Sequence, residues 1–310
     1  MSKETNVAQI IENNLRNQDN YVFKELARRG RNLQLAAIQK KVLPCYNRES
    51  EIEQIRICLS RRTKPNVFLT GSSGCGKTAI VEGLAAMILQ EWEKVYRKNP
   101  ESAFSDVANA DCPIIYELSA TALMAGTRYR GDFEERIEDI LSEIRMEKNV
   151  VVFLDEGHLL ASMGANHEGG DSLAQLIKPA LARGEIRLIT ATTTEEFNTL
   201  VKPDAALTRR FTEIKVDSLT GESRYSCARN IVDEFSEYWK KRYSFSVKLS
   251  DKYLRDLIDG PLGNSVFPYE FVDLLDAACA EAKFKHLKVV NEEMLSRVLA
   301  ERCGVLLITE

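Results

Sequence analysis

The sequence has no C-x-x-C pair: its seven cysteines, at positions 45, 58, 75, 112, 227, 279 and 303, are widely and irregularly spaced. That spacing gives no basis for a zinc site or a dithiol redox centre and reads as reduced thiols. No uninterrupted apolar run approaches the roughly 20 residues that span a bilayer, and residues 1–10 are polar, without the apolar stretch of a secretory signal. Positive charge is not in excess either. Against 42 Lys and Arg stand 46 Asp and Glu, a net charge of −4 with no long basic block, so the electrostatic footprint of a nucleic-acid binder is missing. Glycine and proline are sparse, at 16 and 8 residues, and neither an internal repeat nor a low-complexity tract is present, which excludes fibrous, repeat and disordered classes. These absences lead us to expect a cytoplasmic protein without membrane association. What remains is an ordinary globular composition, 44% hydrophobic and 28% charged over 310 residues, enough for one large domain and a smaller companion.

Periodicity divides that length. Residues 1–21 are polar and asparagine-rich and read as a solvent-facing arm or a helix without a packed face. Short apolar strands follow at 67–69, 113–118, 150–154, 186–191 and 212–216, separated mostly by helical patterns at 78–90, 133–146 and 172–182. Such alternation predicts a mostly parallel sheet covered on both faces. Residues 91–111 read as a long polar surface connection. From about residue 220 helical patterns dominate (222–241, 250–259, 268–284, 291–303). We therefore divide the chain into an arm (1–21), a large α/β domain (22–218) and a small helical domain (219–310).

The first strand runs into Gly71-Ser72-Ser73-Gly74-Cys75-Gly76-Lys77-Thr78, which fits G-x-x-x-x-G-K-[ST] with a helix directly after it. Glycines let the backbone N–H groups converge on phosphate oxygens at the helix N-terminus, Lys77 reaches the terminal phosphates, and Thr78 can hold Mg2+. This is the signature of an ATP site. The strand at 150–154 ends in Asp155-Glu156. A carboxylate there can bind the metal through water, and its neighbour can polarise the attacking water, so Asp155 is assigned to Mg2+ and Glu156 to catalysis. The strand at 186–191 leads to Thr192-Thr193-Thr194, with hydroxyls where a terminal phosphate would sit, and Arg209-Arg210 lie beyond the same sheet edge. An arginine there could stabilise charge developing on a neighbouring subunit's phosphate.

Together these residues resemble the AAA+ superfamily, and more narrowly the first ATPase domain of the Clp family of unfoldases and disaggregases. The likeness rests on Gly76-Lys77-Thr78-Ala79-Ile80-Val81-Glu82-Gly83-Leu84-Ala85, on Ala125-Gly126-Thr127-Arg128-Tyr129-Arg130-Gly131-Asp132-Phe133-Glu134-Glu135-Arg136, on Lys178-Pro179-Ala180-Leu181-Ala182-Arg183-Gly184-Glu185, and on Asp204-Ala205-Ala206-Leu207-Thr208-Arg209-Arg210-Phe211. The resemblance implies a P-loop AAA+ fold: a five-stranded, mostly parallel sheet whose strands, counted along the chain, lie in the order 5-1-4-3-2, followed by a helical lid. It further implies that Thr193 senses the terminal phosphate, that Tyr46 lies in the nucleotide-base segment, and that Arg209 and Arg210 act in trans within a ring of identical subunits, typically a hexamer. Arg128-Tyr129-Arg130-Gly131 would be the central pore loop gripping a polypeptide substrate, with a second pore loop within 161–170.

The sequence departs from that pattern in places. Asn47 stands where glycine is usual, and asparagine tolerates a left-handed backbone. Gly157 replaces a bulkier apolar residue, and acidic Glu270 stands where relatives carry a basic one. No protease-docking loop is visible, and the chain ends about where relatives begin a second ATPase domain, so a single ring is expected. The reading is an ATP-dependent motor that threads proteins; the alternative is a nucleotide-switched assembly or loading factor that remodels a specific complex without threading.

Overall fold

A computed structural model describes residues 3–42, 45–126, 130–147, 149–162 and 173–303. The chain divides into two units, one formed by residues 1–71 and 77–216, the other by 72–76 and 217–310. The first holds a six-stranded sheet of β1 (Gly30–Asn32), β2 (Val67–Thr70), β3 (Ile114–Leu118), β4 (Val150–Leu154), β5 (Leu188–Thr192) and β6 (Thr212–Lys215), in the order β1-β3-β4-β5-β2-β6. The five expected strands are β2 to β6, and their order is the expected 5-1-4-3-2. The sheet has six strands rather than five because Gly30–Asn32 adds an antiparallel edge to β3, with Gly30 opposite Leu118. Three residues, Gly-Arg-Asn, carry too little pattern to be read as a strand. A Cβ at Gly30 would lie 2.7 Å from the Glu117 carbonyl oxygen, so this edge approaches β3 only because the residue has no side chain.

The central strands β2, β4 and β5 are buried at every position, as a parallel sheet covered on both faces requires. Buried polar side chains tie the strands where ladder bonds do not reach. Asn66, 1% exposed, donates to the Arg210 carbonyl (3.1 Å) and accepts from Leu188 N–H (2.9 Å), fixing the start of β2 between β6 and β5. Gln34 does the same for β3, donating to Pro113 O (3.0 Å) and accepting from Ile115 N–H (2.9 Å).

Two expectations need correction. The N-terminal segment forms a helix, Lys3–Asn17, with a packed face: Val7, Ile11 and Leu15, at i, i+4 and i+8, are buried. Three apolar residues in an otherwise polar stretch suffice to dock it. Residues 91–111 are not one long connection either. The helix after the glycine loop runs Lys77–Lys98, because Trp92 and Tyr96 extend the buried stripe of Leu84, Ile88 and Leu89 by two turns, and Phe104 of a short helix, Phe104–Val107, meets Trp92 edge-on at 5.6 Å.

In the C-terminal unit, helices Gly221–Tyr243, Asp251–Asp259, Tyr269–Phe284 and Glu292–Cys303 pack together with a short parallel pair, β7 (Ser246–Val247) and β8 (Val289–Val290). The helix Asp251–Asp259 is capped by Ser250, whose hydroxyl accepts from Tyr253 N–H at 3.2 Å.

The packed N-terminal helix yields a prediction. Leu15→Ala, which removes a fully buried side chain, should cost about 2–5 kcal/mol of unfolding free energy in a urea titration. A change under about 0.5 kcal/mol, the level of an exposed position, would return the segment to an unpacked arm.

Candidate functional site

The site is assembled from ends of parallel strands. β2 pairs with β5 and β5 with β4, all parallel, with Thr70 opposite Thr192 and Leu154 opposite Thr190. The C-terminal ends of all three therefore meet one edge of the sheet, where ligands bind in open α/β folds.

β2 ends at Thr70 and the chain turns through 71–76 into the helix Lys77–Lys98. Gly74 and Gly76 sit at φ 73° and 97°, backbone that a side chain would strain. The segment 72–76 groups with the C-terminal unit. There, a Cβ on Gly74 would fall 2.7 Å from Val266 Cγ1 and 2.9 Å from Tyr269 Cβ, so glycine is required twice over. Ser72 and Ser73 are exposed and Cys75 is buried. Gly71 carries the carbonyl that accepts from Lys77 Nζ at 2.9 Å, which folds the ammonium back over the loop.

Thr78 Oγ1 donates to Asp155 Oδ2 at 2.8 Å, and Asp155 Oδ1 accepts from Glu156 N–H at 2.9 Å. The hydroxyl and the carboxylate assigned to Mg2+ are thus in contact, one at the start of the helix Lys77–Lys98 and the other just past β4. Two hard oxygen donors suit a small divalent cation that keeps most of its waters and takes the rest of its shell from phosphates. Glu156 is exposed and holds φ 58°, a left-handed conformation that costs a non-glycine residue energy and recurs at functional turns.

The next residue explains how that turn is held. Gly157 N–H donates to Ala191 O at 2.6 Å, and a Cβ at this position would collide with Thr190 Oγ1 and lie 2.9 Å from Phe68 Cε1. The departure at Gly157 is therefore steric: the turn carrying Glu156 lies directly on β5 at Thr190, whose buried hydroxyl has no hydrogen-bond partner among the described residues.

Thr193 caps the short helix Thr194–Glu196. Its hydroxyl donates to Glu196 Oε2 at 2.8 Å and accepts from Glu196 N–H at 3.2 Å, while the Thr192 hydroxyl donates to the same oxygen at 2.8 Å. Burial opposes ionisation of Glu196, but the Thr193 N–H, the two hydroxyls and His158 at 3.5 Å together hold its carboxyl down at about 2. Sequence reading missed Glu196 and His158 as partners, although the capping box Thr-x-x-Glu was readable at 193–196.

The Arg209 side chain is exposed and makes no hydrogen bond or ion pair among the described residues, while its backbone N–H donates to Ala205 O at 3.2 Å; the Arg210 side chain donates to Ala182 O at 3.4 Å. Both follow the short helix Ala205–Thr208, capped by Asp204, which also pairs with Lys178 at 2.7 Å. Asn47 adopts φ 58° beside Tyr46, the left-handed backbone anticipated from its replacing glycine. Arg128 and Tyr129 lie outside the described residues, as do 163–170 of the second pore-loop segment; Gly131 lies in the first turn of the helix Arg130–Met146. Glu270 is exposed in the first turn of Tyr269–Phe284.

Residues 67–218 match the family described as ATPase family associated with various cellular activities (AAA). Over 84% of its length the chain is 38% identical to an ATP-dependent Clp protease ATP-binding subunit ClpA homolog of Cyanidium caldarium, and over 84% it is 37% identical to chaperone protein ClpB of Aquifex aeolicus. It spans only 28% and 24% of those two proteins. Among solved structures it is similar to Saccharomyces cerevisiae Hsp104 in a casein complex, with a TM-score of 0.72 and 29% identity over 91% of this chain and 46% of that one.

Two predictions follow from the packing around the site. Gly157→Val should lower the melting temperature, an overpacking cost of about 1–3 kcal/mol, and the double variant with Thr190→Gly should recover most of it; an unchanged melting temperature in the single variant would refute the contact. Glu196→Gln should destabilise at neutral pH. Because the folded carboxyl lies below its ordinary 4.5, at about 2, its stabilisation is complete above pH 4.5 and disappears as pH falls toward 2. Denaturation curves of the two proteins should therefore converge across that window.

Proposed function

The chain is an AAA ATPase of the Clp type, and from that premise we propose that it binds and hydrolyses ATP at residues 71–78 and uses the cycle to remodel or unfold polypeptides as a ring of identical subunits, typically a hexamer. The observation that carries the reading is the 2.8 Å hydrogen bond from Thr78 to Asp155, which joins the helix after the glycine loop to the end of β4. Backbone N–H groups of the loop would cradle the phosphates, and the Lys77 ammonium would exchange the neutral Gly71 carbonyl for an anionic oxygen, a stronger acceptor. Mg2+ would neutralise charge on the terminal phosphates when bound, with Thr78 as a ligand and Asp155 holding it through water. Glu156, exposed beside them, would accept a proton from the attacking water.

Thr193 would exchange its bond to Glu196 for one to the terminal phosphate. Arg209 and Arg210 would act on a neighbouring subunit's nucleotide; the exposed Arg209 side chain, unpaired among the described residues, supports that reading. Tyr46 would contact the base. Arg128, Tyr129, Arg130 and Gly131 would form the pore loop, and the casein bound to the similar Hsp104 supports a polypeptide as the substrate class. A cytoplasmic site of action fits the finding that no described helix is long and apolar enough to cross a membrane.

Lys77→Ala should lose nucleotide affinity in calorimetry, whereas Glu156→Gln should bind ATP but turn over about 10²–10⁴-fold more slowly; equal hydrolysis by all three forms would refute both roles. Mixing Arg209→Ala with Lys77→Ala subunits should change turnover from the sum of the separate rates if arginine acts in trans. For threading, an unfolded protein such as casein should stimulate wild-type turnover and leave Tyr129→Ala unstimulated. Retained stimulation would favour the assembly-factor alternative.

A further inference from the structure

Within the C-terminal unit, two helices end side by side. Ser246 N–H donates to Lys288 O at 3.2 Å and Lys248 N–H to Val290 O at 2.9 Å, so the turn after Gly221–Tyr243 lies along the turn after Tyr269–Phe284. The Lys283 ammonium stands 4.3 Å over the Tyr243 ring and donates to its hydroxyl at 3.1 Å, while Arg242 lies 5.9 Å over Tyr238.

The surface built here is unusual in two independent respects. Residues 283–289, Lys-Phe-Lys-His-Leu-Lys-Val, are exposed without interruption, with Phe284 at 84%. Together with Tyr238 and Tyr243, this segment's Phe284, Leu287 and Val289 make up five of the thirteen large hydrophobic side chains exposed among the described residues. Phe284 stabilises nothing inside the fold, and monomeric surfaces seldom gather apolar side chains without a partner for them. The charge is equally uneven. Seven cations, Lys240, Lys241, Arg242, Lys248, Lys283, Lys285 and Lys288, share these turns in a chain whose net charge is −4. Among the described residues, Glu237 pairs with Lys241 and Glu281 with Lys285. Lys240, Lys248 and Lys288 have no carboxylate partner among the described residues.

We propose that this surface docks an acidic segment of a partner protein, one that carries apolar side chains between its carboxylates. The lysines supply complementary charge around the rim, and Phe284 and Leu287 supply the apolar centre that fixes register. Stacked nucleic-acid bases fit less well, because the ring faces of Tyr243 and Tyr238 are already covered by Lys283 and Arg242, leaving Phe284 as the free ring. A bilayer fits less well too, since Phe284 and Leu287 on one turn present far less apolar surface than an interfacial helix. Nothing in the proposal depends on the nucleotide reaction.

The test is fluorescence anisotropy with the full chain and a labelled peptide of about 20 residues repeating Glu-Glu-Leu-Asp-Phe, beside labelled oligothymidylate and phosphatidylserine vesicles. The peptide should bind saturably, weaken steeply with added salt, and lose at least about tenfold in affinity with Lys285→Glu/Lys288→Glu, and several-fold with Phe284→Ser. Melting temperature and ATP turnover report that the variants are intact. No binding at millimolar peptide, equal binding by the variants, equal binding of a glutamate-only peptide, or preference for the oligonucleotide or vesicles would overturn the proposal. So would self-association in sedimentation that the same substitutions abolish, which would make a second copy of the chain the occupant.

Discussion

The parallel pairing of β2, β5 and β4 is the constraint from which the rest of the site derives. Parallel strands point their C-terminal ends to one edge, and the register puts Thr70 opposite Thr192 and Leu154 opposite Thr190. Residues just past those ends, Gly71, Thr193 and Asp155, are then neighbours although they lie more than a hundred residues apart at the extremes. A one-residue slip of β4 against β5 would reverse which face each side chain meets. The buried Asn66, hydrogen-bonded toward both β5 and β6, opposes the corresponding slip of β2 at the other end of that strand. In a buried apolar sheet, a polar side chain with both its donor and acceptor satisfied specifies one arrangement, because every other leaves it unpaired.

The turn after β4 shows how that frame accommodates strain. Glu156 is held at φ 58°, and the residue behind it is glycine because Thr190 and Phe68 occupy the space a Cβ would need. The hydrogen bond from Gly157 N–H to Ala191 O fastens the turn to β5. A left-handed residue persists only where its surroundings over-determine it; here one hydrogen bond and two close contacts do so, and the bond and the nearer contact involve the strand that leads to Thr193. The two segments proposed to sense and to hydrolyse the terminal phosphate are thus packed on each other before any ligand arrives.

Much of this was legible in the sequence, and the boundary is physical. The glycine loop, the five parallel strands, and the helices Arg130–Met146 and Tyr269–Phe284 each carry a strong periodic or motif signal, whereas the order of the strands came only with the family resemblance. The left-handed Asn47 followed from asparagine standing where the resembling family has glycine. What escaped were features defined by partners distant in sequence: the edge strand Gly30–Asn32 has three residues, the packed face of Lys3–Asn17 has three apolar side chains, and the Lys77–Lys98 helix extends through Glu93 and Lys94 only because Trp92 and Tyr96 are buried. The Gly157–Thr190 contact joins residues 33 positions apart, and no local pattern encodes it.

Three of the polar side chains at this edge are already hydrogen-bonded to neighbouring groups. Lys77 binds Gly71 O, Thr78 binds Asp155, and Thr193 binds Glu196. Nucleotide binding on the proposed reading is therefore an exchange of hydrogen bonds, and its net favour comes from replacing neutral acceptors with charged phosphate oxygens. The exchange at Thr193 has a second consequence. Releasing that hydroxyl removes one of the groups that hold the Glu196 carboxyl at about 2, leaving Thr192, the Thr193 N–H and His158 to compensate. His158 stands 3.5 Å from that carboxyl and three residues after Asp155, so a change at the end of β5 is felt directly in the turn that carries Glu156. The coupling needs no large motion, because Thr193, which would report the ligand, and His158, two residues after Glu156, already face one carboxylate.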